Sequence, residues 1–347
     1  MPLSPTAPVP RGADERPALI LANLGTPSAP TARAVRPFLR EFLSDRRIVE
    51  THPLLWRPVL EGIILRVRPR ASAAKYATIW RPGEETSRSG SPLMHYSQRQ
   101  GELLQEELGE SVQVRVAMRY GQPALRRVMG ELMEAGCHRI ALIPLYPQYA
   151  ASSAGTVVDE AARFILASRN QPELRTIRSF ETAPAYIEAL ATALEQHWQS
   201  HGRPDPAAGE RLLLSFHSIP QAMHDAGDPY RAECERTVEL LSRRLDLPEG
   251  LAELTFQSVF GPAAWIGPAT IDTVSELGRA GCPRLDVVCP GFVSDCLETL
   301  EEINQLNRET FTTAGGGSFH YIPWGNDSDG AIATLAQQAR KVLAGWI

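Results

Sequence analysis

The sequence predicts an α/β protein made of two similar halves, each a parallel sheet flanked by helices, and three observations carry that prediction. First, three segments recur in the same order. LILANLGTP (19–27) resembles LLLSFHSIP (212–220), VRVAMRYG (114–121) resembles LTFQSVFG (254–261), and GCHRIALIPLYPQY (136–149) resembles GCPRLDVVCPGFVS (281–294). Second, helix-period segments lie between the strand-like runs, and that alternation is the pattern of parallel sheets covered on both faces. Third, SHGRPDPAAGER (200–211) has a linker's composition and divides the two copies.

In chain order, residues 1–17 are rich in proline and read as a flexible tail. The first half is then expected over 18–200 and the second over 211–347. HPLLWRPVLEGIILRVRPR (52–70) mixes aliphatic residues and Trp56 with arginines, so it is either an ordinary core helix or an exposed apolar lip. QPALRRVMGELMEAG (122–136) and ATIDTVSELGRAG (269–281) are the helix-period segments. LLLSFHSIP reads as an interior strand that ends on His217. A core histidine satisfied by a backbone carbonyl is one account of it. A ligand-facing histidine is the other, because open parallel sheets bind ligands outside the carboxyl ends of their strands. His217, Arg119, Tyr149 and Asp295 all fall at or just past such ends.

SDCLETLEEINQLNRE (294–309) reads as a helix capped by Ser294 or Asp295. At about 100° per residue, Asp295, Glu298, Glu302 and Glu309 share one face, with Leu297, Leu300 and Ile303 roughly opposite. Such a face is either solvated surface or a wall that presents carboxylates to a cation. Carboxylates joined by a histidine suit a borderline divalent metal. TAGGGS (313–318) reads as a flexible turn.

Composition bounds the rest. Of 347 residues, 43% are apolar and 22% charged, the balance of a soluble globular protein. A net charge of −5 without a basic run gives no nucleic-acid footprint. No apolar run approaches the ~20 residues that span a bilayer, and the N-terminal stretch lacks the apolar core of a signal peptide. Five scattered cysteines without a C-x-x-C point to free thiols in a reducing cytoplasm. Neither G-x-G-x-x-G nor the phosphate-binding G-x-x-x-x-G-K-[ST] is present.

On NLGTPSAP, EFLSDRRIVE, GSPL, MRYG, PLYPQY, SFHSIP, GDPY, FQSVFGPAAWIGPAT and VVCPGFVSDCLETLEEI, in that order, the chain resembles the ferrochelatase family from about residue 19 to its end. The resemblance implies two Rossmann-like halves around a cleft, a chelatase-like fold, and insertion of ferrous iron into protoporphyrin IX to form protohaem. It implies that His217 and Glu298 face each other as the catalytic and metal-handling pair, with Asp295 and Glu302 in a polar channel behind the glutamate. It also implies porphyrin contacts at Leu24, Arg119, Tyr120, Tyr149, Ser258 and Trp265. Arg119 is expected at a cleft edge, contributing charge more than core volume. Residues 52–70 resemble the family's membrane-facing lip, so a monomer in peripheral contact with the inner face of the membrane is expected. Some members carry an iron–sulfur cluster on a cysteine-rich C-terminal tail. This chain has no cysteine after Cys296, so no cluster and no permanently bound cofactor are expected.

The chain departs from the family at Val259, where a basic residue is common, at Ile271, where an acid is usual, and at Cys296, which replaces a histidine of some branches. RPGEETSRS (81–89) looks like an insertion. The resemblance leaves open another tetrapyrrole chelatase, acting on coproporphyrin or inserting cobalt or nickel, and a non-catalytic porphyrin or haem carrier. The intact His217 and Glu298 weigh against the carrier. The chemistry accounts for these residue types: metal insertion must remove two inner N–H protons and expose the nitrogen lone pairs. An imidazole accepts protons near neutrality, carboxylates hold Fe²⁺, and aromatic walls can clamp and distort the ring.

Overall fold

The eight strands found among the described residues of the computed structural model (16–81, 90–259, 261 and 263–347) fall into two sheets of one design. The first contains β1 (Ala18–Asn23), β2 (Gln113–Met118), β3 (Arg139–Pro144) and β4 (Glu173–Thr176) in the order β2-β1-β3-β4. The second contains β5 (Arg211–His217), β6 (Ala252–Gln257), β7 (Arg284–Val288) and β8 (Ser318–Ile322) in the order β6-β5-β7-β8. Every pairing is parallel. The recurring sequence segments are the first three strands of each sheet, so the duplication read from the sequence is a duplication of topology. β1 and the interior of β5 are buried along their length, as central strands covered on both faces must be.

Strand order fixes where a ligand can sit. In each sheet the chain leaves its first strand in both directions, so the ends of β1 and β5 lie at the topological switch point. β5 also overshoots its neighbour. Its last residue with a partner on β7 is Leu214, opposite Val288, while His217 lies three residues further and pairs with Gln257 of β6. His217 therefore stands at the carboxyl edge of the second sheet, half-buried.

The chain folds as two compact units. The described residues within 1–145, 151–179 and 335–347 form one, and those within 146–150 and 180–334 the other. The expected boundary at 200–211 is therefore corrected. Helix Pro184–His201, which precedes the linker-like stretch, belongs to the second unit because its side chains pack there. Tyr186 donates to the Pro290 carbonyl (3.0 Å) and Trp198 donates its indole N–H to Asp286 (2.9 Å). The C-terminal residues return to the first unit, where Arg175 donates to the Ala344 carbonyl (2.8 Å). Most of the N-terminal tail and all of the 81–89 insertion except Arg81 lie outside the described residues.

Residues 52–70 form helix Pro53–Val59, a π-helical turn at Leu60–Ile64 and the start of helix Leu65–Ile79. Leu60 and Leu65 pack on Leu43, as a core helix would. The opposite side is apolar too: Leu54 is 79% exposed, Leu55 70%, Ile63 59% and Val67 67%. No described helix is long and apolar enough to cross a membrane.

The acidic segment differs from the expected α-helix. Glu298–Asn307 is π-helical and continues as α-helix Arg308–Thr313. Its i→i+5 hydrogen bonds turn the chain less per residue than an α-helix does, so the buried positions recur every fourth residue, at Thr299, Ile303 and Asn307. Leu297 and Leu300 are only half-buried, and Glu309 is carried off the Glu298–Glu302 face into solvent.

Candidate active site

The second unit assembles its site from the ends of β5 and β6 and the start of the π-helix. Past His217 the chain is tied down on both sides. The Ser218 N–H donates to the Gln257 carbonyl (2.8 Å) and the Ser218 hydroxyl to the Ile266 carbonyl (2.8 Å). The Ile266 N–H donates to the Ile219 carbonyl (3.0 Å), and Pro220 bridges Trp265. Trp265, half-buried, is thereby fixed against the segment that leaves His217.

His217 Nδ1 lies 2.5 Å from the Ser218 carbonyl oxygen. A carbonyl can only accept, so Nδ1 carries the proton and, in the neutral ring, Nε2 carries the lone pair. Nδ1 is thus satisfied by a backbone carbonyl, as a core histidine's would be, and Nε2 keeps its lone pair.

Glu298 opens the π-helix, and its backbone carbonyl accepts from the Gln257 amide (2.9 Å). Gln257 is buried and accepts from Ser215 Oγ (2.9 Å), so one side chain bolts the sheet to the carboxylate helix. The Cys296 thiol is buried and donates toward the Glu298 carboxylate. Burial, then the Glu298 charge and that bond, push the thiol well up, so it stays an S–H donor. Glu302 is held by Ser258, whose N–H (2.6 Å) and hydroxyl (2.5 Å) each reach one carboxylate oxygen. To present both donors Ser258 adopts φ 66°, a left-handed conformation uncommon outside glycine.

Burial raises the Glu302 carboxyl above the ordinary glutamate range. The Ser258 bonds and the nearby His217 oppose the shift, and the Glu298 charge adds to it. His217, Glu298 and Glu302 therefore share one electrostatic environment. A carboxyl whose folded pKa lies above its unfolded value stabilises the fold fully below the unfolded pKa, and that contribution is lost as pH rises through the folded one. Glu302→Gln removes this loss. The melting temperature of the variant minus that of the unsubstituted protein should thus climb as pH rises from about 4 toward neutrality. A difference that stays flat in a thermal-shift series would refute the assignment.

Asp295 is buried at 8% exposure, and its carboxylate is fully engaged. Oδ1 accepts from Thr299 (2.8 Å) and Tyr321 (2.6 Å), and Oδ2 from Asn326 (2.7 Å). It fixes the start of the helix instead of standing open beside Glu298 and Glu302. Tyr149, although it follows β3 in sequence, lies in the second unit. Its N–H donates to Glu233 (2.7 Å), and the neighbouring Gln148 donates to Tyr186 and Thr237 (both 2.9 Å). Val259 is 43% exposed beside Ser258.

Leu24, Arg119 and Tyr120 come together at the ends of β1 and β2 in the first unit. The Arg119 N–H donates to the Asn23 carbonyl (2.8 Å) and the Tyr120 N–H to the Leu24 carbonyl (2.8 Å). Gly25 has φ 110°, and a Cβ there would fall 1.8 Å from the Tyr120 carbonyl oxygen, so the strand ends meet only because residue 25 is glycine. Arg119 is not an exposed edge cation. It is 7% exposed, paired with Asp45, and bonded to the Thr156 carbonyl (3.0 Å) and hydroxyl (2.7 Å). Asp45 also accepts from Tyr120 (2.9 Å) and Thr156 (2.5 Å). Burial alone would raise the Asp45 carboxyl, but the bonds from Thr156 and the Arg47 N–H, the Arg119 charge and the Tyr120 bond outweigh it and hold it low.

Sequence reasoning missed Gln257, Asp45 and Thr156. Gln257 alone left a trace, as a polar residue closing an interior strand. Asp45 and Thr156 meet Arg119 only through the fold.

A family model described as Ferrochelatase matches residues 16–343. The chain is 49% identical to the ferrochelatase of Aromatoleum aromaticum over 340 residues, covering 97% of this chain and 90% of that protein. It is 46% identical to the ferrochelatase of Methylobacillus flagellatus over 343 residues, covering 98% and 96%. Among solved structures, SirB from Bacillus subtilis with Fe³⁺ superposes with a TM-score of 0.52 at 16% identity, covering 73% of this chain and 92% of that one. That likeness extends to the fold.

Proposed function

This chain belongs to the ferrochelatase family, the metal-chelatase lyases that insert iron into a porphyrin in haem biosynthesis, and from that premise we propose that His217 and Glu298 carry out the insertion, with protoporphyrin IX as the ring. One observation supports the pairing most. The His217 Nε2 lone pair stands at the carboxyl edge of the sheet, in the same field as Glu298 and Glu302. Insertion of Fe²⁺ releases two N–H protons, so the reaction is charge-neutral and needs two proton acceptors near the ring. His217 takes one proton at Nε2. Glu302, with its raised pKa, accepts a proton more readily than an ordinary glutamate. Glu298, whose backbone carbonyl is held by Gln257, supplies the anionic oxygen that draws the iron out of water. Asp295 acts through the helix it anchors.

Incubation with protoporphyrin IX and Fe²⁺ without oxygen should give the haem spectrum. Coproporphyrin, Co²⁺ and Ni²⁺ run in parallel fix the ring and metal preference, and faster turnover of coproporphyrin would replace protoporphyrin as the substrate. Trp265, whose backbone is fixed against the segment that leaves His217, is read as an aromatic wall. Trp265→Ala is expected to raise the porphyrin KM and lower kcat, whereas unchanged kinetics would make it packing.

The exposed Leu54, Leu55, Ile63 and Val67, with exposed Arg57, Arg66 and Arg70 among them, support peripheral contact of a cytoplasmic monomer with an anionic membrane surface. Absence of co-flotation with anionic liposomes would count against it. The protein is read as needing no iron–sulfur cluster. Its cysteines are buried, and burial pushes the thiols of Cys234, Cys289 and Cys296 well above their usual range.

A further inference from the structure

Three of the eight histidines meet at a place the proposed reaction does not use. His197 and His201 lie one turn apart near the end of helix Pro184–His201, and His320 projects from edge strand β8. One ring nitrogen from each lies within 4.8 Å of the others. The cluster is remote from His217. Asp286, which contacts it, pairs across the sheet with Leu212, five residues and therefore roughly 16 Å back along β5. β8 lies two strands away from β5.

The surroundings are those of a ligand set. Asp286 is fully buried and accepts from Arg284 (2.9 and 2.7 Å), Trp198 (2.9 Å) and His320 Nδ1 (2.9 Å). A carboxylate that holds Nδ1–H of a histidine leaves Nε2 as the donor and raises its basicity, the usual support behind a metal-binding imidazole. His197 has only 16% of its side chain exposed, and its Nε2 is buried without a hydrogen-bond partner, 3.9 Å from Asp286. A buried polar atom left in that state is costly, and a bound cation would remove the cost. His201 is exposed, and its Nδ1 lies 3.0 Å from the His197 carbonyl. Its ring stacks on His197 with centroids 4.1 Å apart and planes 10° from parallel. Two parallel rings cannot both point at one ion, so the exposed His201 is the ring that turns to close the set.

We propose that His197, His201 and His320 form an ancillary site for a borderline divalent transition-metal ion, which would tie the end of helix Pro184–His201 to strand β8. Three imidazoles suit Co²⁺, Ni²⁺, Cu²⁺ or Zn²⁺, with M–N bonds of about 2.0–2.1 Å for zinc. The open side of the cluster leaves room for water in the remaining positions.

The test uses untagged, chelator-stripped full-length protein titrated with Co²⁺ alone and followed by its visible ligand-field bands. The double variant His217→Ala/Glu298→Gln serves as background, so that ion binding at the substrate site does not contribute. That background should bind one Co²⁺, and adding His201→Ala should weaken the binding at least ~10-fold, the lower figure for losing even a supporting partner of a ligand. Zn²⁺ should displace the Co²⁺. His201→Ala alone should leave iron insertion and the melting temperature of the metal-free protein unchanged. Equal Co²⁺ affinity with and without His201, or no Co²⁺ bound by the double-variant background, would overturn the proposal and leave the reading of His217 and Glu298 untouched.

Discussion

Glu298→Gln and His217→Ala should each fold normally, still bind porphyrin, and lose at least ~10²-fold in iron insertion, the lower end for a lost general base. The glutamine keeps the size of the side chain and its hydrogen-bonding capacity. The backbone bond from Gln257 to residue 298 also survives, so the π-helix stays docked on the sheet. What disappears is the charge that attracts Fe²⁺. The alanine at 217 removes Nε2 and also the Nδ1 bond to Ser218, but Ser218 remains fixed through its own N–H and hydroxyl. The double variant should be little worse than the poorer single one, because residues serving one proton and metal path act as a unit. Glu309→Gln is the internal control. The π-helix has carried Glu309 off the acidic face, so its loss should be silent in a continuous anaerobic assay. An essential Glu309 beside a dispensable Glu298 would mean that the acidic face is assigned to the wrong residues.

The second large effect is on stability. Arg119→Ala should lower the unfolding free energy by about 3–5 kcal/mol, the usual cost of breaking a buried ion pair by removing one partner. Asp45 would keep the Thr156 and Tyr120 bonds but lose its only charge partner among the described residues of that cluster, leaving a buried anion. Arg119→Lys should recover only part of this, since an ammonium cannot span Asp45 and Thr156 as the guanidinium fork does. Denaturant unfolding of the three proteins measures the loss directly. From the sequence, Arg119 is expected to supply charge at an edge, so that activity suffers more than stability. An unchanged unfolding midpoint with lost activity would restore that reading.

Stability thus separates what the sequence specifies from what only packing reveals. The repeated strand segments fixed the fold, because interior parallel strands need continuous apolar runs and a parallel crossover needs a helix between them. The same logic placed His217 at a carboxyl edge, where strand order opens a sheet to ligands. The acidic segment was legible as a helix, but its pitch was not. An assumed turn of about 100° put Glu309 beside Glu298, whereas the π-helix pairs Glu298 with Glu302 and buries Thr299, Ile303 and Asn307. The unit boundary fell earlier than the linker-like stretch because helix Pro184–His201 finds its partners, Pro290 and Asp286, later in the chain. Long-range partners also decided the fates of Arg119, paired with Asp45 and Thr156, and of Asp295, closed by Thr299, Tyr321 and Asn326. Local pattern tells which residue types can meet water, metal or core. Which side chain satisfies which depends on contacts between residues far apart in sequence, and those exist only once both sheets have formed and the loops at their ends have been pulled together.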